Sequence, residues 1–356
     1  MSTQQNFVTV SASQAMRILD KGIEFNKTRV GESKQNFLLV GPSGVAKSAL
    51  VAQLAKKRKA VLLTFIASIM EPTDVTGLPF KVMVDGKEIA KHLLFEFMVQ
   101  MCEAKQEMIV RVEEVGQAAF AVQAALMHPI WAREVNGHLI SEFVNFIILT
   151  NSREDQAGVQ GIISTLSLRC TVLRIVASAP DFIEWGKAEG GVHPYVLAFI
   201  DAHPSKIHVP NPNRDMINFP CPRTWEFVSN KLYMDLEKRD QFPAMAGDIG
   251  DAEAREFLSW MRISEKMPHW RDIVTDPMNA PVPEAKEASI LYALCITLSR
   301  IADEKTWPAI YKYSSRISRE YQTWLMNETM LQKPDLMETD EYITWATSNH
   351  KIHIRK

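Results

Sequence analysis

An α/β fold is predicted for the first half of this chain, a parallel sheet with helices on both faces, and an all-helical architecture for the second half. Three observations carry the prediction. Short, almost wholly apolar runs recur at FLLV (37–40), VLLTFIAS (61–68), EMIVRV (107–112), VNFIILTN (144–151) and TVLRIV (171–176). Continuously apolar strands of this length belong to sheets buried on both faces, where side chains of either parity meet a hydrophobic layer. Helical patterns lie between them, as in KSALVAQLAKKRK (47–59) and QAAFAVQAALMHPIWA (117–132). Beyond about residue 178 the strand character fades.

In the second half, helices are expected at 178–190, 193–203, 223–239, 288–304 and 311–330. Proline-rich stretches interrupt them at HVPNPNRDMINFPCPR (208–223) and TDPMNAPVPEAKE (275–287). Proline ends helices by removing a donor and crowding the preceding turn, so these stretches are read as boundaries. The expected division is an αβα domain over 1–177, a helical domain over 178–274 and a C-terminal helical extension over 275–356.

Composition narrows the class. Of 356 residues, 46% are hydrophobic and 23% charged, as in globular proteins, and the formal charge of −2 offers no overall attraction to nucleic acid or anionic membrane. Four dispersed cysteines without a CxxC pair fit reduced, mostly buried thiols in place of a disulfide framework or zinc site. The N-terminal stretch lacks the runs of a signal peptide, so a cytoplasmic location is expected.

The chemistry begins at FLLVGPSGVAKSALVAQLAKK (37–57). Gly41-Pro42-Ser43-Gly44-Val45-Ala46-Lys47-Ser48 fits the phosphate-loop pattern G-x-x-x-x-G-K-[ST] except that Ala46 replaces the second glycine. Such a loop wraps backbone N–H groups round phosphates at the positive end of a helix dipole. Lys47 would then reach the β/γ oxygens and Ser48 a magnesium ion, so Gly41 to Ser48, with Ala49 behind them, form the expected nucleotide-binding set. Some sixty residues on, IVRVEEV brings two acids to a strand end. Glu113 is expected in the magnesium shell, directly or through water, and Glu114 is expected to polarise attacking water. Arg111 is read as emerging at a subunit contact or pairing with a nearby acid.

With these motifs in place the chain resembles a MoxR-family AAA+ ATPase of the bacterial or phage type, with a hairpin inserted in its second helix. GPSGVAKS resembles the family's loop, which often has alanine at this place. EPTDVTGLP (71–79) and KVMVDGKEIA (81–90) resemble the segment in which the hairpin interrupts that helix, with Asp85-Gly86 as a turn signal. VGQAAFAVQAALMHPIWAREVNGHLI (115–140) resembles the next helix and a second hairpin turning at Asn136-Gly137. In ILTNSREDQAGVQGIISTLSLRC (148–170) the resemblance gives Asn151 the polar sensor position and Arg169 the position that reaches a neighbouring subunit's site, with Arg174 a rival. In FPCPRTWEFVS (219–229) it gives Arg223 the γ-phosphate sensor of the lid. The C-terminal YSSRISREYQTWL and EYITWATSNH resemble the tails of some members. Glu113 departs from the family's aspartate, and Gly116-Gln117 from its polar pair, which bears on turnover more than on binding.

The resemblance implies a magnesium-dependent ATPase forming a ring, hexameric, with ATP between subunits. It also implies a chaperone-like role on a protein client, commonly beside a protein with a von Willebrand factor A domain. Arg153 and Arg133 are read as solvated or interface residues, and Trp225, Trp260, Trp324 and Trp345 as core anchors. An alternative is a nucleotide-gated assembly scaffold with crippled hydrolysis. A DNA motor is disfavoured by the mild acidity, the basic tail HKIHIRK (350–356) being a weak footprint.

Overall fold

The structure, a computed structural model, describes residues 8–152, 161–210, 218–234, 236–264 and 267–348. Arg153 and the tail from 349 on lie outside the described residues. The chain divides into two compact units, Met1–Asp181 and Phe182–Lys356.

The first unit is built on a six-stranded sheet. Its strands are β1 (Thr9–Val10), β2 (Phe37–Gly41), β3 (Val61–Ile66), β6 (Met108–Glu113), β9 (Val144–Asn151) and β10 (Thr171–Ile175). Two small antiparallel sheets stand apart: β4 (Leu78–Val84) with β5 (Lys87–Leu93), and β7 (Glu134–Val135) with β8 (His138–Leu139). The large sheet has the order β1-β10-β2-β9-β6-β3 and is parallel throughout. The helices of this unit are α1 (Ala12–Asn26), α2 (Lys47–Arg58), α3 (Pro72–Thr76), α4 (Glu96–Cys102), α5 (Phe120–Met127) and α6 (Ser164–Ser167), and α7 (Ala179–Trp185) runs into the second unit.

The apolar strands find a layer on each face. Leu39, Ile109, Ile147 and Leu149 pack with Leu19 and Ile23 of α1 and Leu50, Val51 and Leu54 of α2. The alternate residues Leu38, Val110, Val112, Phe146 and Ile148 pack with Val75, Met98, Met101, Val122 and Leu126 of α3, α4 and α5. The expected doubly covered sheet is therefore what forms. Neither β1 nor α1 was read from the sequence, although α1 opens with a capping box: the Ser11 hydroxyl accepts from the Gln14 N–H, and Gln14 Oε1 from the Ser11 N–H at 3.0 Å.

Both hairpins turn where their Asp-Gly and Asn-Gly pairs predict. Asp85 and Gly86 have φ 51° and 75°, and Asn136 and Gly137 have φ 47° and 85°, the paired positive values of a two-residue hairpin turn. The first hairpin lies between α3 and α4 and is largely solvent-exposed. Asn136 at the tip of the second donates its side-chain amide to the Thr76 carbonyl beside the base of the first.

The second unit is helical: α8 (Pro194–Ala202), α9 (Pro222–Tyr233), α10 (Lys238–Ile249), α11 (Asp251–Ser264), α12 (Trp270–Thr275), α13 (Ala288–Ile301), α14 (Trp307–Ser314), α15 (Arg319–Gln332) and α16 (Asp340–Ser348). Phe199, Trp225, Phe257 and Trp260 form an aromatic cluster among α8, α9 and α11. Trp307, Tyr313, Leu325, Met326 and Trp345 anchor a second core among α12–α16. Trp225, Trp260 and Trp345 are thus buried, and Trp324 packs half-buried against the second core.

Several expected helices are shorter than the sequence predicts: 178–190 is α-helical only over α7, and in place of 223–239 α9 ends at Tyr233 and α10 begins at Lys238. The 117–132 pattern is regular only over α5, because Pro129 cannot donate and the chain continues as a wide turn over His128–Ala132. The 311–330 pattern is two helices. The Ser314 and Ser315 hydroxyls donate to the Tyr311 and Lys312 carbonyls, competing with the backbone N–H groups that would extend α14. Ser318 then opens α15 in an extended conformation.

Candidate functional site

Parallel strands all point their C-terminal ends to one edge, and loops leaving that edge converge there. Register pairs Gly41 at the end of β2 with Asn151 at the end of β9, and Ile66 of β3 with Glu113 of β6. Gly41 itself is required by packing: a Cβ there would stand 2.4 Å from the Ile175 carbonyl oxygen of β10.

The loop 42–46 then enters α2 through Ala46, whose φ of 67° is left-handed. This is the position where the phosphate-loop pattern has glycine, and alanine here accepts a conformation disfavoured by roughly 1 kcal/mol. Val45 is buried under the loop, and Ala49 follows in the first turn of α2. Lys47, only 9% exposed, extends its ammonium to the carbonyls of Gly41 and Pro42, both at 2.7 Å, and to Asn151 Oδ1 at 3.0 Å. One cation thereby joins the loop to the end of β9.

The acidic strand meets the same helix start. The Ser48 hydroxyl donates to Glu113 Oε2 at 2.9 Å. Arg111, two residues earlier and so on the same face of β6, donates from Nη1 to the Ser48 carbonyl at 2.7 Å. Its Nε lies 2.9 Å from Glu113 Oε1, an ion pair by distance whose N–H is not aimed along it. Of the two readings of Arg111, pairing with a nearby acid is the one the fold contains.

Glu114 leaves the strand with φ 57°, again left-handed, and is exposed. Its Oε2 accepts from the Ser68 hydroxyl, on the short turn after β3. Sequence reasoning passed over Ser68, taking it as the last residue of a strand that stops at Ile66. Its only signal was position, at the end of a strand neighbouring β6.

The remaining candidates stand elsewhere. Arg169 packs its guanidinium over the Trp131 ring, 5.2 Å from the centroid, and donates to the Thr165 carbonyl at 2.7 Å. Arg174 lies on β10, opposite Val40. Arg223 is exposed on the first turn of α9 in the second unit. Arg133, expected to be solvated or at an interface, is instead buried at 3% exposure. It donates to the Val144 carbonyl at 2.6 Å and lies over the Phe146 ring, and burial pushes its pKa down to about 10. A short turn forces this inward course, since Arg133 itself is left-handed at φ 60° before β7.

The cysteines are free: Cys221 and Cys295 are buried, and Cys102 and Cys170 half-buried. Among the described residues no helix is long and apolar enough to cross a membrane.

Residues 36–166 match the family model described as an AAA domain of the dynein-related subfamily. Their span runs from the residue before β2 to α6 and includes the loop, the acidic strand and Asn151. The parallel sheet, the loop and this match together give this part of the chain an AAA+ fold. Comparison with curated proteins yields no match. Among solved structures, a proline-to-glycine mutant of RuvB from Thermotoga maritima aligns with 95% of this chain and 88% of its own, at 13% identity and a TM-score of 0.37. An alanine-to-serine mutant of the same protein aligns with 80% of this chain and 81% of its own, at 14% identity and 0.39. Similarity this loose adds nothing to the assignment, which rests on the AAA+ domain's own sheet order, loop and family match.

The donor set of the AAA+ domain suits magnesium. A hydroxyl and a carboxylate oxygen 2.9 Å apart at the foot of a phosphate loop are hard oxygen ligands, and magnesium ordinarily takes few protein oxygens, completing its shell with phosphate and water.

Proposed function

We propose that the chain is a MoxR-like ATPase that binds and hydrolyses ATP between subunits of a hexameric ring and remodels a protein client. The observation that carries this reading is the hydrogen-bonded convergence of Lys47, Ser48, Glu113 and Asn151 at one sheet edge. Lys47 and the loop N–H groups of Gly41 to Ser48 bind the phosphates. Ser48 and Glu113 would hold the magnesium ion, which supplies charge neutralisation on those phosphates. Glu114, released from Ser68, accepts a proton from the attacking water, and Asn151 orients that water. Arg169 from a neighbouring subunit stabilises developing charge, a contribution of about 1,000-fold or more where such arginines act. Arg223 senses the γ-phosphate from the lid at 178–274, and the helices from 275 brace it or dock a partner. The two hairpins touch the client, and a protein with a von Willebrand factor A domain is the partner by analogy.

A second reading is favoured by specific contacts. Both acids are engaged, Glu113 by Arg111 and Glu114 by Ser68, as in a nucleotide-gated scaffold with crippled hydrolysis. Steady-state ATP hydrolysis with magnesium, wild type against Glu114→Gln, separates the two over a range of protein concentrations. Turnover whose specific activity rises with concentration, lost in Glu114→Gln, is the expected result. Equal silence from both proteins, with ATP still driving assembly, would establish the scaffold instead.

A further inference from the structure

Arg111 is out of place as a strand residue. It sits in β6 between Val110 and Val112, both fully buried, in a parallel sheet covered on both faces. Arginine in such a strand is expensive unless its charge is paired. Here the face it shares with Ile109 and Glu113 carries it beneath α2, where the Ser48 carbonyl fixes one nitrogen and Glu113 Oε1 meets another. The pair is sheltered, at 16% and 23% side-chain exposure.

Glutamate is the matched partner for this arrangement. The register of β6 with β3 fixes the backbone at 113. From there one carboxylate reaches the Ser48 hydroxyl with Oε2 and the guanidinium with Oε1. Aspartate, one methylene shorter, would span less of that gap. The departure at 113 and the arginine at 111 are therefore two halves of one feature.

Resting on the reading that this site binds magnesium with ATP, we propose that Arg111 is a resident competitor for the carboxylate that serves the metal. Its guanidinium occupies one oxygen of Glu113 and cancels most of that side chain's charge. Magnesium, a compact divalent ion, binds through few carboxylates and needs their charge. The site consequently has a low affinity for the divalent ion, and the bound arginine supplies part of the positive charge beside the phosphates. Nucleotide binding is thereby less dependent on magnesium than the loop alone would make it. Arg111 acts through Glu113 and is a positioning residue.

The test is the binding of a fluorescent ATP analogue by the full chain as free magnesium is raised in chelator-buffered solutions. Two charge-removing variants, Arg111→Gln and Arg111→Met, keep a long side chain beneath α2, and Arg111→Lys keeps the charge. Free magnesium at half-maximal binding is expected to fall about tenfold in the first two and to stay within about threefold of wild type in the third, the effect of one unit charge near a divalent ion in a solvent-accessible site. Unchanged or raised midpoints in both Gln and Met variants, with wild type binding normally, would overturn the proposal. Absence of nucleotide binding by wild type at every magnesium concentration would overturn the ATP reading beneath it, a distinct result because it needs no variant.

Discussion

Ala46, Glu114 and His193 each hold a position their chemistry alone does not favour. Ala46 and Glu114 are left-handed at φ 67° and 57°, each at a strand-to-helix passage of the candidate site. Strain of this kind persists only where surrounding structure over-determines it, and here Val45 beneath the loop and Val115 after the acid, both buried, fix the backbone on either side. His193 is the third. Burial first, and the charge of Arg300 second, push its pKa down to about 4. Its Nδ1 accepts from the Tyr195 N–H at 3.2 Å, so the neutral ring caps α8. A group whose folded pKa lies below its unfolded value of 6.5 gives stability that is full above that pH and lost as pH falls toward 4. His193→Asn retains a capping acceptor without the titration. Urea unfolding at a series of pH values between 7 and 4.5 should show wild type losing more stability on acidification than the variant.

At the scale of elements, the phosphate loop depends on how α2 is seated. Arg58 in its last turn meets Asp20 and Glu107 at 2.5 Å each and Glu24 at 2.9 Å, with only 10% of its side chain exposed. One guanidinium thus ties α2 to α1 and to the chain entering β6. Arg58→Ala would leave half-covered Glu107 with Lys27 alone, at 3.8 Å, and Asp20 with Lys57 alone, at 2.8 Å. A loss of about 2 kcal/mol is expected, below the range for a fully buried pair because both acids keep some solvent. The midpoint of urea unfolding checks it, and Arg58→Lys should recover only part, since an ammonium lacks the planar fork that meets several carboxylates at once. The hairpins follow a different logic. Their turns are set by two residues each, and Asn136 to Thr76 is the link that fixes one beside the other.

For the molecule as a whole, each unit has its own core and each is described by its own packing. A ligand held by the loop should therefore register in the melting of the AAA+ domain. At a nucleotide concentration about 100 times the dissociation constant, with magnesium present, the native state gains about 2.7 kcal/mol. Differential scanning calorimetry of wild type should show that gain as a raised transition. Lys47→Ala should show none, having lost the ammonium that the loop carbonyls and Asn151 surround.

The sequence by itself determined the sheet, the loop and the turns. Strands of continuous apolar residues have one stable environment, a sheet covered on both faces, and Asp85-Gly86 and Asn136-Gly137 have one economical conformation, the tight hairpin turn. The loop and the acidic strand likewise marked Lys47, Ser48, Glu113 and Glu114 as candidates for one site, and the family resemblance added Asn151. Tertiary structure alone decided what those residues touch. That Ser68 meets Glu114 and that Arg133 is buried over Phe146 are facts about strand order and register. β3 and β6 are adjacent although more than forty residues separate them. Local pattern reports the period of a strand and the face of a side chain. Which strand lies alongside is set by the packing of the whole domain, and that is the information the pairings required.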